Sequence, residues 1–217
     1  MSDTTFDFNV FIRESKDVLV NPKSYFSTMR TTGGVAEPLI KAVIYGVIAG
    51  VFYLLWSLLN LSASTGGLFG SAVGVMAFVG TIIGAIIGLF VGAVIILVIS
   101  SICKGNTDFE ACMRVTAAVM VIMPINAFLS FLSGMNLFAG AIISIAVNIY
   151  ALWLLYNGLV ESLKANRETS KIVMYVLIGV MLLFMLVGIG AKKRANQFMD
   201  SFDNTEVQEL FQDLEEN

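Results

Sequence analysis

Residues 42–103 contain no Asp, Glu, Lys or Arg, a run of 62 positions between Lys41 and Lys104. No other feature restricts the folding of this chain so strongly. Another 46 uncharged positions lie at 115–160, and 20 more at 172–191. A soluble domain carries about 25% charged residues. This chain has 13%, with 57% hydrophobic residues and a mean hydropathy of +0.84. A bilayer core about 30 Å thick needs about 20 apolar residues of helix to cross it. The uncharged runs therefore predict an all-α, polytopic membrane protein. Barrel strands would alternate apolar and polar residues, which these runs do not, and lipid offers the backbone of a helix no competing partner.

Five transmembrane helices fit the runs: 39–61, 70–102, 115–132, 137–160 and 172–191. The second has 33 residues and would reach about 50 Å at a rise of 1.5 Å per residue. It has to tilt, project beyond the bilayer, or break near "TGGLFGSAVG". Three regions follow: an amphipathic leader at 1–37, a five-helix membrane domain at 38–191, and a tail at 192–217 that is basic and then acidic. The first forty residues lack the basic start, short apolar run and small-residue cleavage site of a secretory signal, so the first span is expected to remain as an anchor.

Basic residues favour the cytoplasmic side. Arg13, Lys16, Lys23, Arg30 and Lys41 precede or open the first span, Lys104 and Arg114 follow the second, and Lys164, Arg167 and Lys171 follow the fourth. The alternate connections "SASTGG" and "SGMN" are uncharged. This pattern predicts a cytoplasmic N-terminus in a multi-pass protein. Five spans then place the C-terminus outside, against the bias of "KKR" at 192–194. The acidic residues from Asp200 to Glu216 would neutralise that cluster locally.

In the leader, Phe8, Phe11, Ser15, Val18 and Leu19 approximate one helical face. Asn21 and Pro22 read as the N-cap and first position of a second short helix. Such a pair would lie on the membrane surface, or offer a docking face to a cytoplasmic partner. In the tail, Val207, Leu210, Phe211 and Leu214 have helical spacing, compatible with an amphipathic helix or a frayed, solvated end.

Within the second span, "GTIIGAIIGLFVG" puts Gly80, Gly84, Gly88 and Gly92 four residues apart. In water each helical glycine costs about 1 kcal/mol against alanine. In lipid, small residues let helix backbones approach closely, and van der Waals contact drives association. The ridge is therefore expected to pack another helix, either of this chain or of a second copy.

No catalytic residue is expected. The chain has no histidine, the commonest acid–base group and metal ligand. Cys103 and Cys112 are nine apart and form no C-x-x-C motif. "TGGLFGSAVG" lacks the lysine of a phosphate-binding loop, and no Asp or Glu falls at a bilayer midplane, where proton-coupled transporters usually hold one. No cofactor, no metal and, in an acidic chain, no nucleic acid is expected. The polar groups in the spans include Asn126, Asn148 and Asn157. Each is expected to make an interhelical hydrogen bond, with a polar permeation path as the alternative. Pro124 should kink its span, freeing a carbonyl for the Asn126 amide. In the loop "CKGNTDFEACMR", Asp108, Glu110 and Arg114 read as a solvated connector or a recognition edge for a partner.

Three stretches stand out in order: "NPKSYFSTM" followed by "GGVAEPLIKAVIYGVIAGV", then "GNTDFEACMRVTAAVMVIMPINAFLSFL", then "YALWLLYNGLVESLKANRETSKIVMYVLI". Together they resemble the Yip domain family of membrane proteins named for interaction with Ypt/Rab GTPases. The resemblance spans about residues 18 to 190. It implies a five-helix fold with a cytoplasmic N-terminus, and the compact form resembles prokaryotic members, hence a prokaryotic cytoplasmic membrane. Eukaryotic relatives bind Rab-type GTPases and other Yip proteins. This sequence lacks their longer soluble N-terminal region and Asp-Leu-x-Gly-Pro type motif, which argues against a Rab-type GTPase here. The expected function is a non-enzymatic membrane scaffold or adaptor that assembles with itself or with other membrane proteins amid membrane lipids. The alternative is a small-solute or lipid transporter or channel.

Overall fold

The computed structural model describes residues 7–59, 61 and 70–184, with the side chains at 70–73 and 137 outside it. The chain divides into two compact units, Met1–Tyr175 and Val176–Asn217. In the first, the helices in order are α1 (Phe8–Val20), α2 (Pro22–Thr28), α3 (Ala36–Leu58), α4 (Gly70–Ile102), α5 (Phe109–Val119), α6 (Ile122–Leu129), α7 (Phe131–Met135) and α8 (Leu137–Asn157). A wide turn at Gly158–Ser162 and helical residues 167–175 follow. In the second unit, the described residues 176–184 are helical. No strand occurs among the described residues. The "SASTGG" connection, residues 185–191 of the fifth expected span, and the tail 192–217 with its basic cluster and apolar spacing lie outside the described residues.

Four stretches among the described residues are long and apolar enough to cross a membrane: Ala36–Leu58, Gly74–Ile102, Phe109–Met135 and Phe138–Ser162. Their starts follow local chemistry. Pro38 sits in the first turn of α3, where a proline has no helical N–H to lose, so the helix opens three residues earlier than its apolar pattern does. Asp108 caps α5, its carboxylate accepting from the N–H of Glu110 at 2.7 Å and of Ala111 at 3.2 Å. The third span therefore begins at Phe109, six residues before the expected 115, and the second half of "CKGNTDFEACMR" is helix rather than loop. Asn136 caps α8 in the same way. α4 runs unbroken over 70–102.

Pro124 interrupts the third span as expected. It has no N–H for the Met120 carbonyl, and the chain turns at Met120–Val121. The freed carbonyl accepts instead from the Met123 N–H at 2.9 Å. The Asn126 amide, expected to satisfy it, takes no part.

The most extensive internal helix seam lies between α3 and α4, and its glycines are mainly those of α3. A Cβ on Gly46 would meet Ala85 Cβ at 2.8 Å, and one on Gly50 would meet Phe78 Cδ2 at 2.8 Å. These two form a Gly-x-x-x-Gly pair facing α4. Gly92 of α4 is in comparable contact, with Thr116 Cγ2 of α5 at 2.7 Å from its Cβ position. At Gly80, Gly84 and Gly88 a Cβ would meet nothing within 4 Å. Of the expected ridge, only Gly92 is spent inside the chain. The other three lie exposed among Val79, Ile83, Ile87 and Val91.

Two connections pair with each other. The Asn106 N–H donates to Leu163 O at 2.7 Å, and the Asn166 N–H donates to Cys103 O at 2.8 Å. Lys104 and Lys164 both have φ of +56°, the left-handed conformation that ends a helix. Asn106 and Asn166 each accept from an N–H two residues on, at Asp108 and Glu168. The same turn is thus built twice at the same end of the membrane domain and joined reciprocally. Gly105 sits in the crossing, where a Cβ would press on Ser100 Oγ at 2.5 Å and Ala165 Cβ at 2.9 Å.

Candidate functional site

The charges that border the apolar runs do not disperse into solvent. They converge where α1, the first turns of α3 and the first turns of α5 meet. Lys41 Nζ lies 2.7 Å from Glu14 Oε2 and 2.7 Å from Glu37 Oε1. Arg114 spends its whole fork: Nη1 reaches Glu37 Oε2 at 2.8 Å, Nε reaches Glu110 Oε1 at 3.2 Å, and Nη2 donates to Gly34 O at 3.0 Å. The Gly34 N–H donates to Glu110 Oε1 at 2.6 Å. Glu37 bridges the two cations, one oxygen to each.

Sequence spacing prepares this arrangement. Glu37 and Lys41, like Glu110 and Arg114, are i, i+4 pairs with the acid on the N-terminal side, the favourable order. Glu37 and Glu110 both stand in the first turn of their helices, where the helix dipole favours a carboxylate. The loop between α2 and α3 must bring Gly34 against the guanidinium. Gly33 and Gly34 do so with φ of +131° and +90°, and a Cβ on Gly33 would lie 2.9 Å from Arg114 Nη2. Only glycine suits both demands.

Lys41 and Arg114 are buried, at 8% and 7% exposure. A buried cation is tolerable only when paired and hydrogen-bonded. Each here has two carboxylates, supplied by three separate stretches of chain. The arrangement clamps the leader to the spans. Apolar contacts reinforce it: Phe11 packs on Tyr45 with ring centroids 5.1 Å apart, and the Ser15 and Tyr45 hydroxyls are 2.7 Å apart. The Tyr150 hydroxyl donates to Leu19 O. Phe11 and Val18 are buried by protein, so these members of the leader's apolar face are used internally.

Over the ion pairs lies a cleft of about 570 Å³, whose rim includes Arg13, Asp17, Tyr25 and Arg30. Among the described residues, Arg13, Asp17 and Arg30 have no ion-pair partner. Burial, with the Glu14 and Glu37 carboxylates next, pushes the Tyr25 phenol well above its ordinary value. The phenol stays protonated across physiological pH, so it offers this cleft a neutral hydroxyl.

Of the expected partner edge, Glu110 and Arg114 come together, but Arg114 is buried in the clamp and Asp108 is occupied in capping α5. The three amides do not gather. Asn148 donates to Ser144 O at 2.7 Å and Asn157 to Trp153 O at 2.8 Å, each within α8, so neither makes the interhelical bond expected of it. Asn126 faces a second, smaller cleft. Sequence reasoning missed Glu14, Glu37 and Lys41. The available signal was the Glu37–Lys41 pair in the opening turns of an otherwise apolar helix. Among the described residues, no three His, Cys, Asp or Glu side chains are placed to hold a metal ion.

The Yip1 domain family model matches residues 16–189. The chain belongs to the Yip1 domain family. The matched region of this Yip1 protein runs from within α1 past the last described residue, and takes in Glu37, Lys41, Glu110 and Arg114. Glu14 and Phe11, which hold α1 against α3, precede it. No curated protein matches the chain, and no solved structure does. With its apolar helices, family membership makes this an integral, multi-pass membrane protein.

Proposed function

We propose that this Yip1 protein is a non-enzymatic membrane scaffold, assembling through α4 with a second copy of itself or with another membrane protein. The observation that carries the reading is the state of the α4 glycines. Gly92 and the α3 pair Gly46 and Gly50 serve close contacts inside the chain, while Gly80, Gly84 and Gly88 form a shallow, unfilled groove on the outer face. Three glycines in a helix lower its intrinsic stability by about 3 kcal/mol relative to alanine, at about 1 kcal/mol each. A helix seated in that groove offsets the cost through close van der Waals contact.

The leader helices and the paired connections at 103–108 and 162–167 lie at the same end as the ion-pair clamp. In the cytoplasmic orientation favoured by the basic residues, they give the scaffold a fixed inner face. Asp108 and the exposed charges of that face are where an inner partner would meet it.

Two-tag co-purification separates the two partners. Chains carrying different tags are co-expressed and extracted in native-membrane nanodiscs. Self-assembly predicts recovery of both tags on one affinity resin, whereas assembly with another protein predicts one tag plus a reproducible membrane protein in fixed ratio. A single chain recovered alone in repeated extractions contradicts the proposal.

A further inference from the structure

A polar cleft of about 300 Å³ opens between α3, α6–α7 and α8, lined by Tyr53, Asn126, Ser130, Ser133, Gly140 and Ser144 among others. It is distinct from the clamp in position and in chemistry. Asn126 lies twelve residues beyond Arg114, and Tyr53 twelve beyond Lys41, each about 18 Å deeper at 1.5 Å per residue. Ser144 lies eight residues, about 12 Å, in from Asn136, which caps α8 at the opposite end. The cleft therefore runs from near the Asn136 end, where Ser133 and Gly140 lie three and four residues from the cap, to about the middle of a 30 Å hydrocarbon layer.

Its polar groups are unequally employed. The Ser130 hydroxyl donates to Ala127 O, and Ser144 Oγ accepts from Asn148. Among the described residues, the Asn126 amide and the Tyr53 and Ser133 hydroxyls have no hydrogen-bond partner. At this depth an unmet amide or hydroxyl is costly, because acyl chains offer it nothing. No Asp, Glu, Lys or Arg lines the cleft, so a charged group brought to this depth would find no counterion. Beside it Phe52, Trp56, Phe128 and Phe131 form a ring cluster with centroids 5.2 to 6.3 Å apart, and the Trp56 indole N–H is fixed on Ala127 O at 2.9 Å. The space equals about ten waters at about 30 Å³ each, enough for a small head but not for a large one.

We infer that this cleft binds the head of a neutral lipid, one whose hydroxyl and ester groups hydrogen-bond to Tyr53, Asn126 and Ser133 while its chains remain in the bilayer. The site is independent of the scaffold reading. It stands or falls without the glycine groove.

The test uses the full-length protein in nanodiscs with a photoactivatable diacylglycerol, the diazirine placed next to the glycerol. A phosphatidylglycerol probe with identical chains runs in parallel, and labelled peptides are mapped by mass spectrometry. The expected result is diacylglycerol labelling concentrated within residues 50–58 and 122–148. Tyr53→Phe and Asn126→Leu should each lower it at least fivefold, and the phosphatidylglycerol probe should label these peptides at least fivefold less. Tyr53→Phe removes only the hydroxyl, so its arm decides the matter if Asn126→Leu fails to fold. Labelling that ignores both variants, that is equal for the anionic probe, or that is absent because water alone fills the cleft would overturn the inference.

Discussion

Replacing Arg114 with methionine is expected to lower the stability of the membrane domain by about 3 kcal/mol, the low end of the cost of breaking a buried ion pair. The side chain is 6% exposed and serves Glu37, Glu110 and the Gly34 carbonyl at once. Methionine fills much of its volume but leaves the Gly34 carbonyl without its donor and Glu110 without its cation. The cost stays at the low end because Glu37 keeps Lys41 and is 42% exposed. Arg114→Lys should recover less than half of the loss, since an ammonium cannot reproduce three contacts made by a planar fork. Thermal unfolding in nanodiscs gives the magnitude, and amide hydrogen exchange gives the place: protection should fall first around Gly34 and across α1. A loss under about 1 kcal/mol, the ordinary worth of an exposed pair, would mean that the clamp does not hold the leader.

The second large effect is steric. A Cβ on Gly140 would contact the Ser133 hydroxyl and lie 2.5 Å from Ser133 Cα and 2.7 Å from its nitrogen. Backbone atoms cannot swing aside as a side-chain end can, so α7 and α8 must part. Gly140→Ala is expected to destabilise by about 3 kcal/mol, the upper range for overpacking. The same substitution at Gly84 is the control. Nothing lies within 4 Å of its Cβ position, and alanine is the better helix former by about 1 kcal/mol, so the isolated chain should be unchanged or slightly more stable. Equal behaviour of the two variants in thermal unfolding would contradict the packing described for α7 and α8.

How legible these features were depended on how local their causes are. Absence of charge over 42–103 and 115–160 placed the membrane helices, because a missing hydrogen-bond partner in lipid acts on every residue alike. Pro124 announced its kink, since the lost N–H is a property of that one residue. The cap at Asp108 was equally local but was masked by the charges around it, and the helix start moved six residues. The clamp was least legible. Lys41 finds Glu14 across 27 positions and Arg114 finds Glu37 across 77, and nothing in either neighbourhood specifies the other. The glycines show the same limit. A Gly-x-x-x-Gly spacing states that a close approach is possible, and both Gly46–Gly50 and Gly80–Gly84–Gly88 carry it. Which of them meets a helix of the same chain is set by the fold.

Cysteine crosslinking across the α4 groove is the most direct measurement of whether this face joins chains. The native thiols of Cys103 and Cys112 are buried, so single cysteines introduced by Gly84→Cys and Gly88→Cys report on the outer face. Ile142→Cys, on an exposed site of α8, serves as the comparison. Self-assembly through this groove predicts that mild oxidation in native membranes gives a discrete crosslinked species at positions 84 and 88 and none at 142. Equal, diffuse crosslinking at all three positions, or none at any, would contradict it.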